Sequence, residues 1–261
     1  MFGGGGLLTP DSLLLSRLMI RRLAFILIAF ALAVTACSGD DSGATPKSPT
    51  STVAEAEAEA EAGEISSAEY AAFRAQPVAC DGPAPAAATE MRFTEPADLG
   101  LSGTVTVVLT TSCGDITIEL DPGVAPATVN SFVFLAEQGY FDGSVSHRVV
   151  PGFMIQAGDP TATGANGPGY LIPDELPEAG FVYTRGTVAM ANAGPNTSGS
   201  QFFMMLADVG LPPAYSVFGT VVSGLDVLDR IATVPTVARA AGLEPSSPTE
   251  TIYINAVSIQ R

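Results

Sequence analysis

The sequence is poor in the residues on which several kinds of chemistry depend. Its 261 residues include one histidine and three cysteines, which excludes most metal sites built from imidazole and thiolate ligands. A lone histidine also leaves little room for paired-histidine chemistry. Only 11 lysines and arginines stand against 27 acidic residues, for a formal charge of −16. Because nucleic-acid binding needs basic side chains to neutralise phosphates, we expect no nucleic-acid partner. We also expect no metal and no other cofactor.

Charged residues of both signs are scarce and unevenly spread. They make up 15% of the chain, against about 25% in an average soluble protein. Between Ser38 and Ser102, 12 acidic residues face 3 basic ones, whereas residues 103–261 hold 14 and 5. Both stretches carry a net charge of −9, but the first is less than half as long. This asymmetry predicts a flexible acidic linker over residues 37–102 and a folded domain over residues 103–261.

The apolar run near the N-terminus is too short to span a bilayer. Leu23–Val34 has 12 residues, against about 20 in a membrane-spanning helix. Arg21 and Arg22 precede it and small residues follow, a pattern typical of a secretory signal over residues 1–36. The ending Val-Thr-Ala-Cys resembles the lipobox of bacterial lipoproteins, which implies a lipid on Cys37 and attachment to the cell membrane. The alternative, a buried helix with an incidental cysteine, explains poorly the coreless residues that follow.

The signal pattern reads most naturally from Met19, so we expect the true start there. Further along, Glu55–Ala62 alternates glutamate and alanine. Both residues favour helices, but the tract has no large apolar side chain to bury, which predicts a solvated, partly helical spacer. Residues 64–76 then predict a short helix anchored by Ile65, Tyr70 and Phe73.

Two cysteines remain beyond the lipobox. Outside the cytoplasm, spare cysteines often pair. A disulfide between Cys80 and Cys113 would join the end of the linker to the first hairpin of the domain. The alternative is two free buried thiols.

The sequence from Gly103 onward predicts many short strands and two helices. Helical spacing of apolar residues begins at Pro126 and ends at Gly139, and residues 224–232 repeat the pattern. In the last strand the apolar phase shifts after Ile254, which predicts a bulge. Alternating or β-branched segments predict the strands, over residues 104–111, 116–120, 147–150, 154–157, 186–191, 202–206, 216–222 and 252–259. Together these elements predict a mainly β fold, a closed β-barrel with helical ends.

Two long runs carry the most specific information about function. His147–Gln156 reads HRVVPGFMIQ, and Met190–Phe203 reads MANAGPNTSGSQFF. They resemble the cyclophilins, the peptidyl-prolyl cis–trans isomerases, and shorter matches such as Gly167–Tyr170 and Val217–Gly219 extend the resemblance over about residues 103–261. The resemblance implies a closed eight-stranded antiparallel β-barrel capped by two α-helices, and proline-containing polypeptides as partners.

Individual residues correspond to this family by their position in the two runs. The resemblance implies catalytic roles for Arg148, Gln201 and Asn192, with the two amides holding the peptide. The side chains it assigns to the proline pocket and the peptide backbone are Phe153, Met154, Gln156, Ala191, Phe203, Leu211 and Tyr215. The lone histidine, His147, has no GxSxG motif to accompany it, so a Ser–His–Asp triad lacks support.

The chemistry of a prolyl bond explains why an arginine suits this role. Resonance keeps the imide planar, with a rotation barrier of about 18–20 kcal/mol, so uncatalysed exchange takes tens of seconds or longer. Twisting the bond localises a lone pair on nitrogen, and a fixed cationic donor stabilises that state more than the planar one. A charged hydrogen bond contributes about 1.5–3 kcal/mol, whereas a millionfold acceleration needs about 8 kcal/mol. Arg148 must therefore act with an apolar pocket and with groups that hold the flanking peptide.

We therefore predict an isomerase of Xaa-Pro bonds that is lipid-anchored on the extracytoplasmic face of the cell membrane and assists the folding of exported proteins. The main alternative is a chaperone module that binds proline-containing segments and does not need turnover. A mainly structural envelope protein is a third reading, which leaves the pocket residues unexplained.

Overall fold

A computed structural model describes residues 60–260 of the chain. Its three α-helices are α1 (Ala68–Arg74), α2 (Pro126–Glu137) and α3 (Leu225–Ala232), and a short 3-10 helix covers Ala79–Asp81. The strands are β1 (Ala60–Glu64), β2 (Thr89–Phe93), β3 (Val105–Thr111), β4 (Gly114–Leu120), β5 (Arg148–Val150), β6 (Met154–Ala157), β7 (Thr187–Met190), β8 (Phe202–Met205), β9 (Val217–Ser223), β10 (Thr236–Val237), β11 (Ser247–Pro248) and β12 (Ile254–Gln260).

Eight strands form one antiparallel sheet in the order β12-β3-β4-β9-β7-β8-β6-β5. Alternation produces its inner face, because every second residue of β3 is buried, from Val105 to Thr111, as expected of a strand with one face on the core. Aromatic rings of α2 and the sheet meet inside, with the Phe132 and Phe202 centroids 5.3 Å apart. The mainly β prediction is confirmed, and the register of β12 against β3 shifts between Ile254 and Ala256, where the sequence predicts a bulge.

The prediction of a closed barrel is wrong, because the sheet curls into a half-barrel whose edge strands, β5 and β12, do not pair with each other among the described residues. The segments just before them are joined by an antiparallel bridge between Val145 and Tyr253 and by main-chain hydrogen bonds, such as that from the amide of Ser146 to the carbonyl of Ile252 at 2.9 Å. The edge of β5 is occupied instead by the segment that leads into β11, since the amide of Val149 donates to the carbonyl of Ser246 at 2.8 Å. The two helices predicted for residues 103–261 are α2 and α3, and α1 is the short helix predicted before that domain.

The folded part of the chain begins well before Gly103, which differs from the prediction of a flexible linker up to residue 102. Tyr70 and Phe73 of α1 are buried, as the short predicted helix requires. Cys80 and Cys113 are joined by a disulfide, with their Cα atoms 5.0 Å apart. The end of the Glu-Ala tract forms β1 and not a helix, because its backbone pairs antiparallel with β2, and pairing overrides weak local propensity.

The predicted signal, the proposed start at Met19 and the lipobox cysteine Cys37 all lie outside the described residues. Within residues 60–260, no helix is long and apolar enough to span a membrane.

Candidate active site

Strand register brings three of the predicted site residues into one row. Arg148 of β5 is the cross-strand partner of Gln156 of β6, and Gln156 is in turn the partner of Phe203 of β8. Directly opposed residues in a sheet project their side chains from the same face. The pairing of β5, β6 and β8 therefore aligns a guanidinium, an amide and an aromatic ring across three neighbouring strands.

Strand alternation separates this row from the interior of the half-barrel. Val149, Ile155 and Phe202 contribute to the main hydrophobic core, whereas Met154 and Phe203 belong to a distinct apolar cluster. Because successive residues of a strand face opposite sides, the second cluster forms on the other face of the same strands. Met154 and Phe203 are therefore largely buried beneath the site without being part of the barrel core.

A cavity of about 130 Å³ opens above this second cluster. The side chains around it are Arg148, Phe153, Met154, Gln156, Ala191, Asn192, Phe203, Leu211 and Tyr215. These are nine of the ten residues that the sequence assigns to catalysis and substrate binding. The tenth, Gln201, lines an adjoining cavity of about 220 Å³ that shares Gln156, Ala191 and Asn192 with the first.

Aromatic packing fixes one wall of the smaller cavity. The rings of Phe203 and Tyr215 meet edge to face, with centroids 5.4 Å apart and an interplanar angle of 88°. The hydroxyl of Tyr183 donates to the main-chain carbonyl of Tyr215 at 3.0 Å, which holds the segment before β9. The aromatic contact thus places the Tyr215 ring against Phe203, while the hydrogen bond holds the main chain of Tyr215.

Asn192 is held differently from the other predicted catalytic amide. Its Nδ2 donates to the carbonyl of Ala214 at 2.8 Å, and its Oδ1 accepts from the amide of Gly194 at 3.2 Å. The side chain thus ties the loop after β7 to the segment before β9. Both ends of the Asn192 amide are therefore engaged within the fold.

Side-chain amides connect Arg148 to a loop on the opposite side of the site. Arg148 Nη1 donates to Gln156 Oε1 at 3.3 Å, and Gln156 Nε2 donates to Gln201 Oε1 at 3.0 Å. Gln201 Nε2 then donates to the main-chain carbonyl of Asn166 at 3.0 Å. Sequence reasoning missed Asn166, because it treats the glycine-rich segment around it as a simple loop. Its only signal was its place directly before the matching run at Gly167–Tyr170.

The electrostatic surroundings of Arg148 come from a second loop that the sequence also left without a role. Burial lowers the pKa of the guanidinium from its ordinary value, the Glu244 carboxylate opposes that change, and Arg239 reinforces it. Arg239 and Glu244 line a cavity of about 400 Å³ on another side of Arg148. The guanidinium remains charged at neutral pH, because arginine does not deprotonate in proteins.

The lone histidine takes no part in a catalytic hydrogen-bond network among the described residues. His147 is 1% exposed, and neither of its ring nitrogens has a hydrogen-bond partner. Burial lowers the pKa of His147 to about 4, against an opposing effect of Asp159. The imidazole is therefore neutral at pH 7.

The groups around the smaller cavity are suited to steering a rotation and not to transferring a proton. Arg148 and Tyr215 are the ionisable side chains among the nine that line it. The lining includes no carboxylate or imidazole that could serve as a general base near pH 7. The site thus offers one fixed cationic donor, neutral amides and an apolar wall.

Comparisons with known proteins agree with this geometry. The family model described as cyclophilin type peptidyl-prolyl cis-trans isomerase/CLD matches residues 106–259. A probable peptidyl-prolyl cis-trans isomerase B of Mycobacterium tuberculosis is 43% identical over 168 residues, covering 59% of this chain and 54% of the relative. A peptidyl-prolyl cis-trans isomerase B of Streptomyces anulatus is 42% identical over 171 residues, covering 58% of this chain and 94% of the relative. The chain therefore spans about half the length of the mycobacterial protein.

Solved structures give the same result for the fold. A cyclophilin type peptidyl-prolyl cis-trans isomerase of Cryptosporidium parvum superposes with a TM-score of 0.56 at 30% identity, covering 61% of this chain and 99% of that one. A second structure of that protein, in the presence of the dipeptide Ala-Pro, gives a TM-score of 0.55 at 31% identity, covering 60% and 99%. With the family model extending over more than half of its length, the chain belongs to the cyclophilin-type peptidyl-prolyl cis-trans isomerase family.

Proposed function

We propose that this chain catalyses cis–trans isomerisation of Xaa-Pro bonds in polypeptides. The observation that carries the proposal is the convergence of Arg148 with Phe153 and Phe203 around one small cavity. The apolar wall would take the proline ring and remove water from the imide. The guanidinium would then face the imide nitrogen, whose lone pair localises only as the bond twists. A group that stabilises the twisted state more than the planar one lowers the barrier.

The adjoining cavity supports the same assignment. Gln201, Ala191 and Asn192 line it, and a peptide that runs past the proline ring would meet their polar groups there. Holding one side of the bond while the other rotates converts binding energy into catalysis. The presence of an Ala-Pro dipeptide with the Cryptosporidium parvum relative supports proline-containing peptides as the substrate class.

The test of turnover is a cis–trans exchange assay on a short Xaa-Pro peptide. The wild-type chain should accelerate exchange, and Arg148→Ala should lower kcat/KM by at least about tenfold, the effect of losing a charged hydrogen bond of about 1.5–3 kcal/mol. Arg230→Ala is the matched control, because Arg230 lies on α3 with its side chain 53% exposed and away from the cavity. No acceleration by either protein would reject the enzyme in favour of the proline-binding chaperone, and equal acceleration by both would reject the role of Arg148.

We further propose that the chain works outside the cytoplasm, tethered by a lipid on Cys37, on exported proteins. The Cys80–Cys113 disulfide supports an oxidising compartment, because disulfides persist there and are rare in the cytosol. To test for the lipid, bacteria that express the chain are grown with a tagged fatty acid, and incorporation of the tag into the protein is measured. Label on the wild type and none on Cys37→Ala is the expected result, and equal labelling of both would reject the anchor.

A further inference from the structure

The N-terminal strand β2 reaches the active site through one asparagine. Asn166 Nδ2 donates to Glu90 Oε1 at 3.0 Å, and Asn166 Oδ1 accepts from Arg92 Nη2 at 3.1 Å. Arg92 Nη2 also donates to Glu90 Oε1 at 3.1 Å. Both Glu90 and Arg92 lie on β2, which precedes the region matched by the family model. Two side chains of this added strand thus bind both ends of the Asn166 amide, whose Oδ1 also accepts from the main-chain amide of Gly167 at 2.9 Å.

The main-chain carbonyl of the same asparagine accepts the last hydrogen bond of the side-chain network in the site. From Asn166 the hydrogen bonds run through Gln201 and Gln156 to Arg148. A carbonyl can only accept and a guanidinium can only donate. Gln201 must therefore present its nitrogen to Asn166 and its oxygen to Gln156, and Gln156 must present its oxygen to Arg148. The two ends of the network fix the orientation of both glutamine amides.

The strand itself is anchored independently of this network. Phe93 is 4% exposed and its ring meets that of Phe134 edge to face, with centroids 5.1 Å apart. The amide of Phe93 donates to the carbonyl of Pro168 at 2.7 Å. At Gly169, φ is +100° and a Cβ would lie 2.7 Å from the carbonyl oxygen of Phe93, so glycine permits this close approach. Truncating Glu90 or Arg92 therefore leaves β2 in place.

We propose that β2 is a positioning element for Arg148, and that Glu90 and Arg92 are positioning residues that act through Asn166, Gln201 and Gln156. Holding the Asn166 side chain fixes its carbonyl, and that carbonyl keeps both glutamine amides aligned toward the guanidinium. The predicted effect on rate rests on the isomerase function proposed above. The predicted effect on the glutamine side chains does not depend on it.

The kinetic test compares Glu90→Ala, Glu90→Gln and Arg92→Ala in the full-length chain, with Arg230→Ala as the matched control. Glu90 and Arg92 have side chains 28% and 50% exposed, so these substitutions should leave the fold intact. Glu90→Ala and Arg92→Ala should lower kcat by about three- to tenfold, the range expected if one neutral hydrogen bond of the glutamine network is weakened. KM should change less than kcat, because the apolar cavity that takes the proline ring is untouched.

Glu90→Gln provides the conservative rescue. Its amide oxygen can still accept from Asn166 and Arg92, so it should restore kcat to within about twofold of the wild type. Arg230→Ala should match the wild type. A fall in kcat for Arg230→Ala equal to that for Arg92→Ala would overturn the proposal, and so would a Glu90→Gln variant as slow as Glu90→Ala.

A spectroscopic readout separates this proposal from the proposed function. In ¹⁵N spectra, the side-chain amide resonances of Gln156 and Gln201 should shift in Glu90→Ala and Arg92→Ala but not in Arg230→Ala. Unmoved glutamine resonances would overturn the positioning role, whatever the rates. If the wild type itself lacks isomerase activity while these resonances shift as expected, the proposed function fails and the positioning of the side chains stands.

Discussion

His147 directly precedes Arg148 and occupies a place where a positive charge would be costly. Its side chain is 1% exposed, and burial lowers its pKa to about 4, against about 6.5 in an unfolded chain. Asp159 opposes this effect, while Arg239 and Arg148 reinforce it. Between these two pKa values His147 is protonated in the unfolded chain but neutral in the folded one, so a falling pH favours unfolding. The stability that this group leaves intact above pH 6.5 is therefore lost as the pH falls through 4.

At the residue scale, we predict that His147→Gln makes the unfolding free energy less dependent on pH in the acidic range. The wild type should lose about 2 kcal/mol of unfolding free energy from this group between pH 7 and pH 4.5. The variant should lack that contribution, because glutamine does not titrate. Urea unfolding at several pH values measures the slope, which is independent of any constant difference in stability. Parallel curves for the two proteins would contradict the assignment of His147 as a neutral buried group.

Helix α2 shows how an element can depend on a residue that is distant in sequence. It begins at Pro126, after Ala125, whose side chain offers no cap. Glu175 supplies the cap instead, since its carboxylate accepts from the amides of Ala127 and Thr128 at 2.9 and 2.8 Å. A carboxylate at this end is also favoured by the helix dipole. The long loop between β6 and β7 is thereby tied to α2.

At the scale of this element, Glu175→Ala should lower the unfolding free energy by about 1–2 kcal/mol. Glu175→Gln keeps an acceptor and loses the charge, so its effect should be smaller. Glu178→Ala is the matched control: it removes an exposed carboxylate from the same loop and should change stability by less than about 0.5 kcal/mol. Denaturant unfolding compares all three, and equal losses for Glu175→Ala and Glu178→Ala would refute the capping role.

Elements that follow local patterns were the predictable part of the fold. Period-two alternation at Ile116, Ile118 and Leu120 predicts β4, and the helical spacing after Pro126 predicts α2. The strand formed by the Glu-Ala tract was not predictable, because its partner β2 is remote in sequence and local propensity favours a helix. That the sheet does not close into a barrel was unpredictable for a related reason. The edge of β5 pairs with Ser246, which lies in a loop that is remote in sequence.

The candidate site also contains residues that the sequence could predict and residues that it could not. Nine residues that the sequence assigns to it line one cavity, because two long runs fix their identity and strand register fixes their position. Asn166, Glu244 and the two β2 residues, Glu90 and Arg92, were missed. They act through a main-chain carbonyl, a loop charge or a tertiary contact, and none of these leaves a pattern in the sequence.

At the scale of the whole molecule, the segment before Gly103 is a packed part of the fold. The Cys80–Cys113 disulfide joins that segment to the turn between β3 and β4, across 33 positions of sequence. Nearby, the guanidinium of Arg74 on α1 lies 5.4 Å from the ring centroid of Tyr253, a cation–π contact. The disulfide restricts the unfolded chain, and on a chain-entropy model a loop of this length contributes about 3–4 kcal/mol.

The corresponding prediction concerns the double variant Cys80→Ser/Cys113→Ser. Its unfolding free energy should fall by about 3–4 kcal/mol relative to the oxidised wild type. Reduction of the wild type should produce a loss of similar size, and reduction should not affect the variant. Thermal or urea unfolding with and without reductant provides the comparison. A wild type whose stability is unchanged by complete reduction would contradict this contribution.

The central claim is that the fixed guanidinium of Arg148 favours a twisted imide over a planar one. Arg148→Lys tests it most directly, because lysine keeps the positive charge but loses the planar fork that Gln156 orients. Exchange rates on one Xaa-Pro peptide give kcat and KM separately. We expect kcat to fall by at least about tenfold with KM within about twofold, since the lost interaction forms only in the transition state. An unchanged kcat with a raised KM would contradict the claim.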